Sequence, residues 1–433
     1  MRLVDLRGTT LSANAVNKAV PRAELDITLA VQQIQPLLDD VRDRGSDALV
    51  DVALKFDKVD PRPFFVTRDE LDSAEQQLDP QLREAILESI ERVRQVSAAN
   101  LPVGQTVELA SGAKVQQRWQ PVESVGLYVP GGKAVYPSSV IMNVVPAQVA
   151  GVGRLALASP AQAEFGGRPH PTVLATANLL GVTEVYSIGG PAAVAAFAFG
   201  VDSIGLEPVA LVTGPGNIFV AAAKRALRGR IGIDSEAGTT EILILADDSA
   251  DARLIAFDLV SQAEHDEAAA AVLVTHSEYL AKEVLAALDG VVEVTTNSER
   301  VKTSLGGQQS AIVLVDDLDA GRRFANHYAT EHLEIHTENP QSDAALISNA
   351  GAIFLGKYSP VSLGDYMAGS NHVLPTGEQA RFGAGLGVHT FLRAQQLVDY
   401  NQDALAAVAQ KVRDFANAEG LSGHGDAITA RFN

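Results

Sequence analysis

Cysteine is absent from this 433-residue chain. Any zinc bound here must therefore be held by nitrogen and oxygen, and a thiolate ligand set is excluded. The missing thiols fit a cytoplasmic protein. Positive charge is scarce as well: 34 Lys and Arg stand against 53 Asp and Glu, a net charge of −19. A phosphate backbone or an anionic bilayer would be repelled, which argues against nucleic acid and membrane as partners. No apolar run is long enough to span a membrane, because residues 140–160 are interrupted by Asn143, Pro146, Gln148 and Arg154. Residues 1–30 carry charges throughout and lack the apolar centre of a signal peptide, so a cytoplasmic location is expected. Repeats and low-complexity linkers are also missing. What remains is a chain with 46% hydrophobic residues, too long for one ordinary core.

Leu25, Ile27, Val31, Ile34, Leu37 and Leu38 recur at helical spacing and predict a helix over 24–56. A charged stretch poor in Gly predicts another over 69–98. Then the pattern changes. Ser124-Val125-Gly126-Leu127-Tyr128-Val129 reads as a strand ending in Pro130-Gly131-Gly132. Apolar strands follow at 154–158, 184–188 and 211–213, each leading into a helical run. After Gly238 a second series begins, with strands at 241–246, 270–275, 310–315 and 352–355. Two runs of strand–helix alternation predict an α/β chain with two doubly wound, Rossmann-like parallel-sheet domains. The expected divisions are an arm over 1–24, a first domain from 25–122 with 238–388, a second over 123–237, and a small helical C-terminal domain over 389–433.

Ser261-Gln262-Ala263-Glu264-His265-Asp266 places two metal-ligand side chains at i and i+3, after an amphipathic stretch over 251–260. On one helix both would project from the same face. With Glu331-His332, Asp365 and His424 they suggest a metal site assembled from distant segments. Eight of the nine histidines lie at or beyond residue 265. His332-Leu333-Glu334-Ile335-His336 is not H-E-x-x-H, and as a strand it would hold its two histidines too far apart to pair; a zincin-type protease is rejected. Glu331 and His332, adjacent at a helix-to-strand turn, can both face a pocket and move protons near neutral pH. Asp365 follows Ser359-Pro360-Val361-Ser362-Leu363-Gly364, read as a loop presenting a carboxylate. Thr213-Gly214-Pro215-Gly216-Asn217 ends a strand and opens a helix over 218–227, where backbone N–H groups can meet an anion. The G-x-G-x-x-G fingerprint is lacking there.

Together these residues resemble histidinol dehydrogenase. The resemblance rests on Ser261-Gln262-Ala263-Glu264-His265, Glu331-His332-Leu333-Glu334-Ile335, Gly364-Asp365-Tyr366 with Gly369-Ser370-Asn371-His372, and Glu419-Gly420-Leu421 with His424. Gly126-Leu127-Tyr128-Val129-Pro130-Gly131-Gly132 and Gly214-Pro215-Gly216-Asn217 extend it. It implies oxidation of L-histidinol to L-histidine through the aldehyde, with two NAD⁺ and one Zn²⁺ per active site. It further implies zinc ligation by Gln262, His265, Asp365 and His424, and proton acceptance by Glu331 and His332. NAD contacts would come from Tyr128 and Asn217 in the second domain. Substrate would meet Thr240, Gln262, His265, His332, Asp365, His372, Glu419 and His424. A homodimer is implied, in which Glu419 and His424 reach the partner's site.

Two positions depart from the family pattern. Ala192 stands where a NAD-contacting Gln is usual, so an amide is lost; Thr240 replaces a Ser and keeps the hydroxyl. A paralogous zinc alcohol dehydrogenase for another small polar alcohol would be expected to lose His372 and Glu419, which are present. A zinc hydrolase would need no Gly-rich strand ends.

Overall fold

Strands made almost wholly of apolar residues can be accommodated only where both faces are covered, and this sets the architecture. Glu-Ile-Leu-Ile-Leu-Ala at 241–246 and Ala-Ala-Val-Leu-Val-Thr at 270–275 are buried along their whole length. In the computed structural model, residues 1–23, 26–131, 135–236 and 238–432 are described. The strands among them run β1 Arg2–Asp5, β2 Gln105–Ala110, β3 Ala113–Pro121, β4 Ser124–Tyr128, β5 Arg154–Ser159, β6 Glu184–Ser187 and β7 Leu211–Thr213. They continue with β8 Gly232–Ile233, β9 Glu241–Ala246, β10 Ala270–Thr275, β11 Ala311–Leu314, β12 His332–His336, β13 Ala352–Leu355 and β14 Leu392–Tyr400.

Two parallel sheets form, ordered β1-β11-β10-β9-β12-β13 and β6-β5-β4-β7-β8, with helices between successive strands. The chain is therefore doubly wound α/β, as its alternation predicts. In each sheet the first strand of the series, β9 or β4, lies in the middle. The chain adds two neighbours on one side and then returns to the other, which creates a switch point at β9/β12 and at β4/β7. A third sheet, β14-β3-β2, is antiparallel.

Several expectations are corrected. The helix predicted over 24–56 is two, Ile27–Arg44 and Ser46–Phe56, divided at Gly45, whose φ of +55° ends the first. Its predicted start at Glu24 and Leu25 lies outside the described residues. Asp26 caps Ile27–Arg44 by accepting from the Leu29 N–H at 2.8 Å. The helix predicted over 69–98 is likewise split, into Arg68–Gln76 and Pro80–Ala99, because Asp79-Pro80 is itself a helix start. The 1–24 segment is more than an arm, since β1 is an edge strand paired in parallel with β11. The 389–433 segment, expected to be mostly helical, includes a strand before its helices. β14 pairs with β3 from Leu392 opposite Pro121 to Tyr400 opposite Ala113, and only then do the helices Gln402–Ala418 and Ser422–Thr429 follow. Polar β14 carries no apolar alternation; its partner strand, far away in sequence, supplies the order.

At the β4/β7 switch point the backbones come very close. A Cβ on Gly214, where φ is +118°, would sit 2.0 Å from the Tyr128 carbonyl oxygen. Only Gly fits. Gly214→Ala should cost about 2–4 kcal/mol, combining left-handed strain with forced separation of two strand ends. Urea unfolding measures it, and a loss below about 1 kcal/mol would mean that the turn relaxes at little cost.

Candidate active site

Parallel sheets usually bind ligands beyond their carboxyl ends. In the six-stranded sheet the predicted catalytic residues lie at the opposite edge. Thr240 immediately precedes β9, and Glu331 immediately precedes β12, whose first residue is His332. This edge meets the carboxyl end of the other sheet. His372 Nε2 lies 3.4 Å from Oγ of Ser139, in the first turn of the helix Pro137–Ala150 that follows β4, and Asn371 donates to the Met142 carbonyl at 2.7 Å. The site thus lies between two sheets, at amino ends of one and carboxyl ends of the other.

Glu331 is buried. Its Oε2 accepts from Thr240 Oγ1 at 2.6 Å and from the Glu241 N–H at 3.0 Å. Burial pushes its pKa up to about 7, against the opposing pull of His332 and those two hydrogen bonds. His332 Nδ1 lies 3.1 Å from the Glu241 carbonyl oxygen and 3.5 Å from Glu331 Oε2. A carbonyl only accepts, so Nδ1 bears the proton and Nε2 keeps its lone pair. That Nε2 is buried without a hydrogen-bond partner. The pair offers two proton acceptors side by side, an imidazole nitrogen and a carboxyl group titrating near neutrality.

Gln262 is buried near the end of the helix Ala252–Ala263, and its Nε2 donates to Thr240 Oγ1 at 2.7 Å. Its Oε1 is buried and unpartnered. His265 is not on that helix, as its i, i+3 spacing suggested. The helix ends at Ala263, and the exposed His265 lies in the turn beyond. The segment before Asp365 is not a loop either: Asp365 belongs to the short helix Val361–Tyr366, whose first N–H donates to Glu334 Oε1 at 2.8 Å. His372 Nδ1 lies 3.2 Å from the Asp365 carbonyl and 4.0 Å from its Oδ1. Burial first, and the nearby His332 and His265, lower the His372 pKa, while Asp365 opposes them. So Thr240, Gln262, Glu331 and His332 are joined by hydrogen bonds and close contacts, with Asp365 and His372 paired beside them. Glu419 and His424 are exposed, at the end of Gln402–Ala418 and inside Ser422–Thr429. No hydrogen bond or ion pair among the described residues joins either side chain to the group.

At the β4/β7 switch point, the buried hydroxyl of Tyr128 accepts from the Gly190 N–H at 3.0 Å, and its pKa is pushed up to about 12 by burial. Ala192, two residues on, is buried in the adjoining apolar cluster, and its side chain offers no polar atom. Asn217 caps the helix Ile218–Leu227, its Oδ1 accepting from Phe219 and Val220 at 3.0 and 3.2 Å. Gly132 of the earlier glycine turn lies outside the described residues.

One buried cluster was not anticipated. Asp258, one helical turn before Gln262, stands with Glu334 and His336 of β12 in a group whose ligand-type atoms lie within 4.8 Å of one another. His336 Nε2 is 3.2 Å from Glu334 Oε2 and 3.9 Å from Asp258 Oδ2. The signal was in the sequence: alternation along β12 puts 332, 334 and 336 on one face, and 258 and 262 share a helix face.

This is an α/β enzyme of the doubly wound class, with a buried carboxyl and imidazole side by side at the junction of its two sheets. Within that class the chain belongs to the histidinol dehydrogenase family, whose sequence profile matches residues 20–432. It is 55% identical to histidinol dehydrogenase of Leifsonia xyli subsp. xyli over 432 residues, covering 100% of this chain and 99% of that protein. The corresponding protein of Corynebacterium glutamicum is also 55% identical, over 100% of this chain and 98% of its own. The crystal structure of histidinol dehydrogenase from Elizabethkingia anophelis superposes with a TM-score of 0.92 at 29% identity, covering 99% of this chain and 98% of that one. The chain is thus an oxidoreductase by family.

The raised pKa of Glu331 has a consequence for stability. Between about pH 4.5 and 7 the folded protein holds more protons at this position than the unfolded chain does, so stability is lost as pH rises through that window. Glu331→Gln keeps the acceptor oxygen and removes the charge. In metal-free protein its stability relative to wild type should rise by about 1–3 kcal/mol from pH 4.5 to pH 8. Urea titrations across that range check this, and a pH-independent difference would contradict it.

Proposed function

We propose that this protein oxidises L-histidinol to L-histidine by way of L-histidinaldehyde, with NAD as hydride acceptor in both steps and one zinc ion per site. The observation that carries the reading is the pair of unengaged buried atoms, Gln262 Oε1 and His332 Nε2, both belonging to the one hydrogen-bonded group of Gln262, Thr240, Glu331, Glu241 and His332. Burying such atoms without partners is costly unless something arrives to meet them. An amide oxygen, imidazole and carboxylate, with no thiol in the chain, suit a zinc site that also takes substrate. Gln262, His265 and Asp365 of one chain would hold the ion with the partner subunit's His424. Zinc held there would supply a positive charge to orient the substrate and polarise its alcohol. NAD fits the other sheet, where helix N-termini gather at the β4/β7 switch point beside Tyr128 and Asn217.

The protein's own groups then divide the proton work. His332 Nε2 takes the hydroxyl proton as the first hydride departs; its Nδ1–H, anchored on the Glu241 carbonyl, keeps the lone pair directed outward. The aldehyde must be hydrated before a second hydride can leave. Glu331, poised near neutrality, removes the proton from the attacking water. His372 and the partner subunit's Glu419 would hold the substrate. Placement between two sheets keeps a reactive aldehyde away from bulk water. No helix among the described residues is long and apolar enough to cross a membrane. A cytoplasmic homodimer completes the proposal.

Two assays test it. Two NADH should form per L-histidinol consumed, exhaustive chelation should abolish the reaction, and added zinc should restore it. One NADH per substrate, or full activity in metal-free enzyme, would refute the respective part. The shared site is tested by His265→Asn and His424→Asn, each expected to be inactive alone. If His424 crosses between subunits, a mixed dimer has one site with both lesions and one intact. Co-expression should restore about a quarter of wild-type sites under random mixing. Mixed dimers confirmed by mass and yet inactive would place His424 in its own chain's site.

A further inference from the structure

The backbone of Glu241 touches both proton acceptors. Its N–H donates to Glu331 at 3.0 Å, and its carbonyl accepts from His332 at 3.1 Å. Whatever holds Glu241 therefore sets where Glu331 and His332 stand relative to each other. That anchor comes from the N-terminal segment. Arg22 Nε donates to Glu241 Oε2 at 2.6 Å, and Arg22 Nη2 reaches Glu241 Oε1 at 3.2 Å and the Tyr328 carbonyl at 2.5 Å. The Arg22 guanidinium also lies 4.0 Å over the Tyr328 ring and 3.7 Å from Glu378. The Gly377 N–H donates to Glu241 Oε1 at 3.1 Å, and Asn17 donates to Glu378 at 2.7 Å. The Glu241 side chain is only 2% exposed, and that of Arg22 18%.

We propose that Arg22 and Glu241 are positioning residues for the reaction. The forked, two-bond pair between them fixes the first residue of β9, and through its backbone N–H and carbonyl fixes Glu331 and the tautomer of His332. Neither side chain touches the reacting atoms in this arrangement. A guanidinium suits the task because its planar donors engage both carboxylate oxygens and a backbone carbonyl at once, which an ammonium does not. The inference rests on Glu331 and His332 being the proton acceptors.

The test uses full-length Arg22→Met, Arg22→Lys and Glu241→Gln, with melting temperatures, steady-state kinetics, and ¹⁵N imidazole NMR of His332 in metal-free protein. The His332 signal is assigned by its loss in His332→Asn. In Arg22→Met, kcat should fall about 10-fold or more while KM for L-histidinol stays within about threefold. The His332 signal should move from a single Nδ1–H tautomer toward a mixture, and Arg22→Lys should recover part of kcat. A folded Arg22→Met with wild-type kcat and an unchanged tautomer overturns the brace. So does a drop in kcat and rise in KM with the tautomer intact, since that is general loss of structure. Should Arg22→Met not fold, Glu241→Gln decides. It keeps length and an acceptor for Gly377, and lowered kcat with a mixed tautomer supports the brace, whereas no change overturns it. Glu331→Gln and His332→Asn separate the two claims. If those remain active, the acceptor reading fails; if they are inactive and the Arg22 and Glu241 variants match wild type, only the brace does.

Discussion

One hydroxyl group sets the polarity of the whole site. Thr240 Oγ1 has a single proton, and it goes to Glu331 Oε2. The same oxygen can then only accept from Gln262, which must turn its NH₂ toward Thr240 and leave Oε1 facing the other way. Reversing that amide would set two acceptors against each other. The orientation of a metal-type ligand is thus decided by the proton of a neighbouring residue, and that proton by a buried carboxyl. A Ser at this position would preserve the same logic, because only the hydroxyl takes part.

The topology explains why such a site lies at the amino ends of β9 and β12. Their carboxyl ends point away from the second sheet, whereas their amino ends face the carboxyl end of β4 and the helix Pro137–Ala150 that follows it. A doubly wound sheet offers a crevice at its switch point for an extended cofactor. The opposite edge of the other sheet can then supply the reacting groups. Tyr128 and Asn217 belong to the first surface, and Glu331 and His332 to the second. Two sheets that share one order over five strands would thus serve different ends in the proposed reaction.

Beneath Glu331 and His332, no lysine or arginine among the described residues hydrogen-bonds to Asp258, Glu334 or His336. Burial and the adjacent charge of Glu334 raise the Asp258 pKa, so this carboxyl retains its proton in conditions where an exposed one would lose it. Glu334 is wholly buried, and it also receives the first N–H of the helix that carries Asp365. One carboxylate thus joins β12 to the Asp365 helix, and Asp258 brings in the helix of Gln262. These contacts tie β12, which begins with His332, to the two helices that carry Asp365 and Gln262 of the proposed zinc site.

The sequence by itself determined the doubly wound class, because runs such as 241–246 and 270–275 are apolar on both faces and each leads into an amphipathic helix. It also marked Gln262, Glu331 and His332, since a carboxyl and an imidazole adjacent at a strand start are close wherever the strand goes. Local capping chemistry could have divided the early helices at Gly45 and at Asp79-Pro80, where apolar periodicity ran on across the break. Tertiary structure alone decided the rest. The pairing of polar β14 with β3, the place of β1 at a sheet edge, and the contact of Arg22 with Glu241 across 219 residues depend on partners that no local pattern encodes. The unengaged Oε1 of Gln262 and Nε2 of His332 belong there too. Which atom of an amide or imidazole is left free is settled by the neighbours that hydrogen-bond the other one, and those neighbours meet only when the chain has folded.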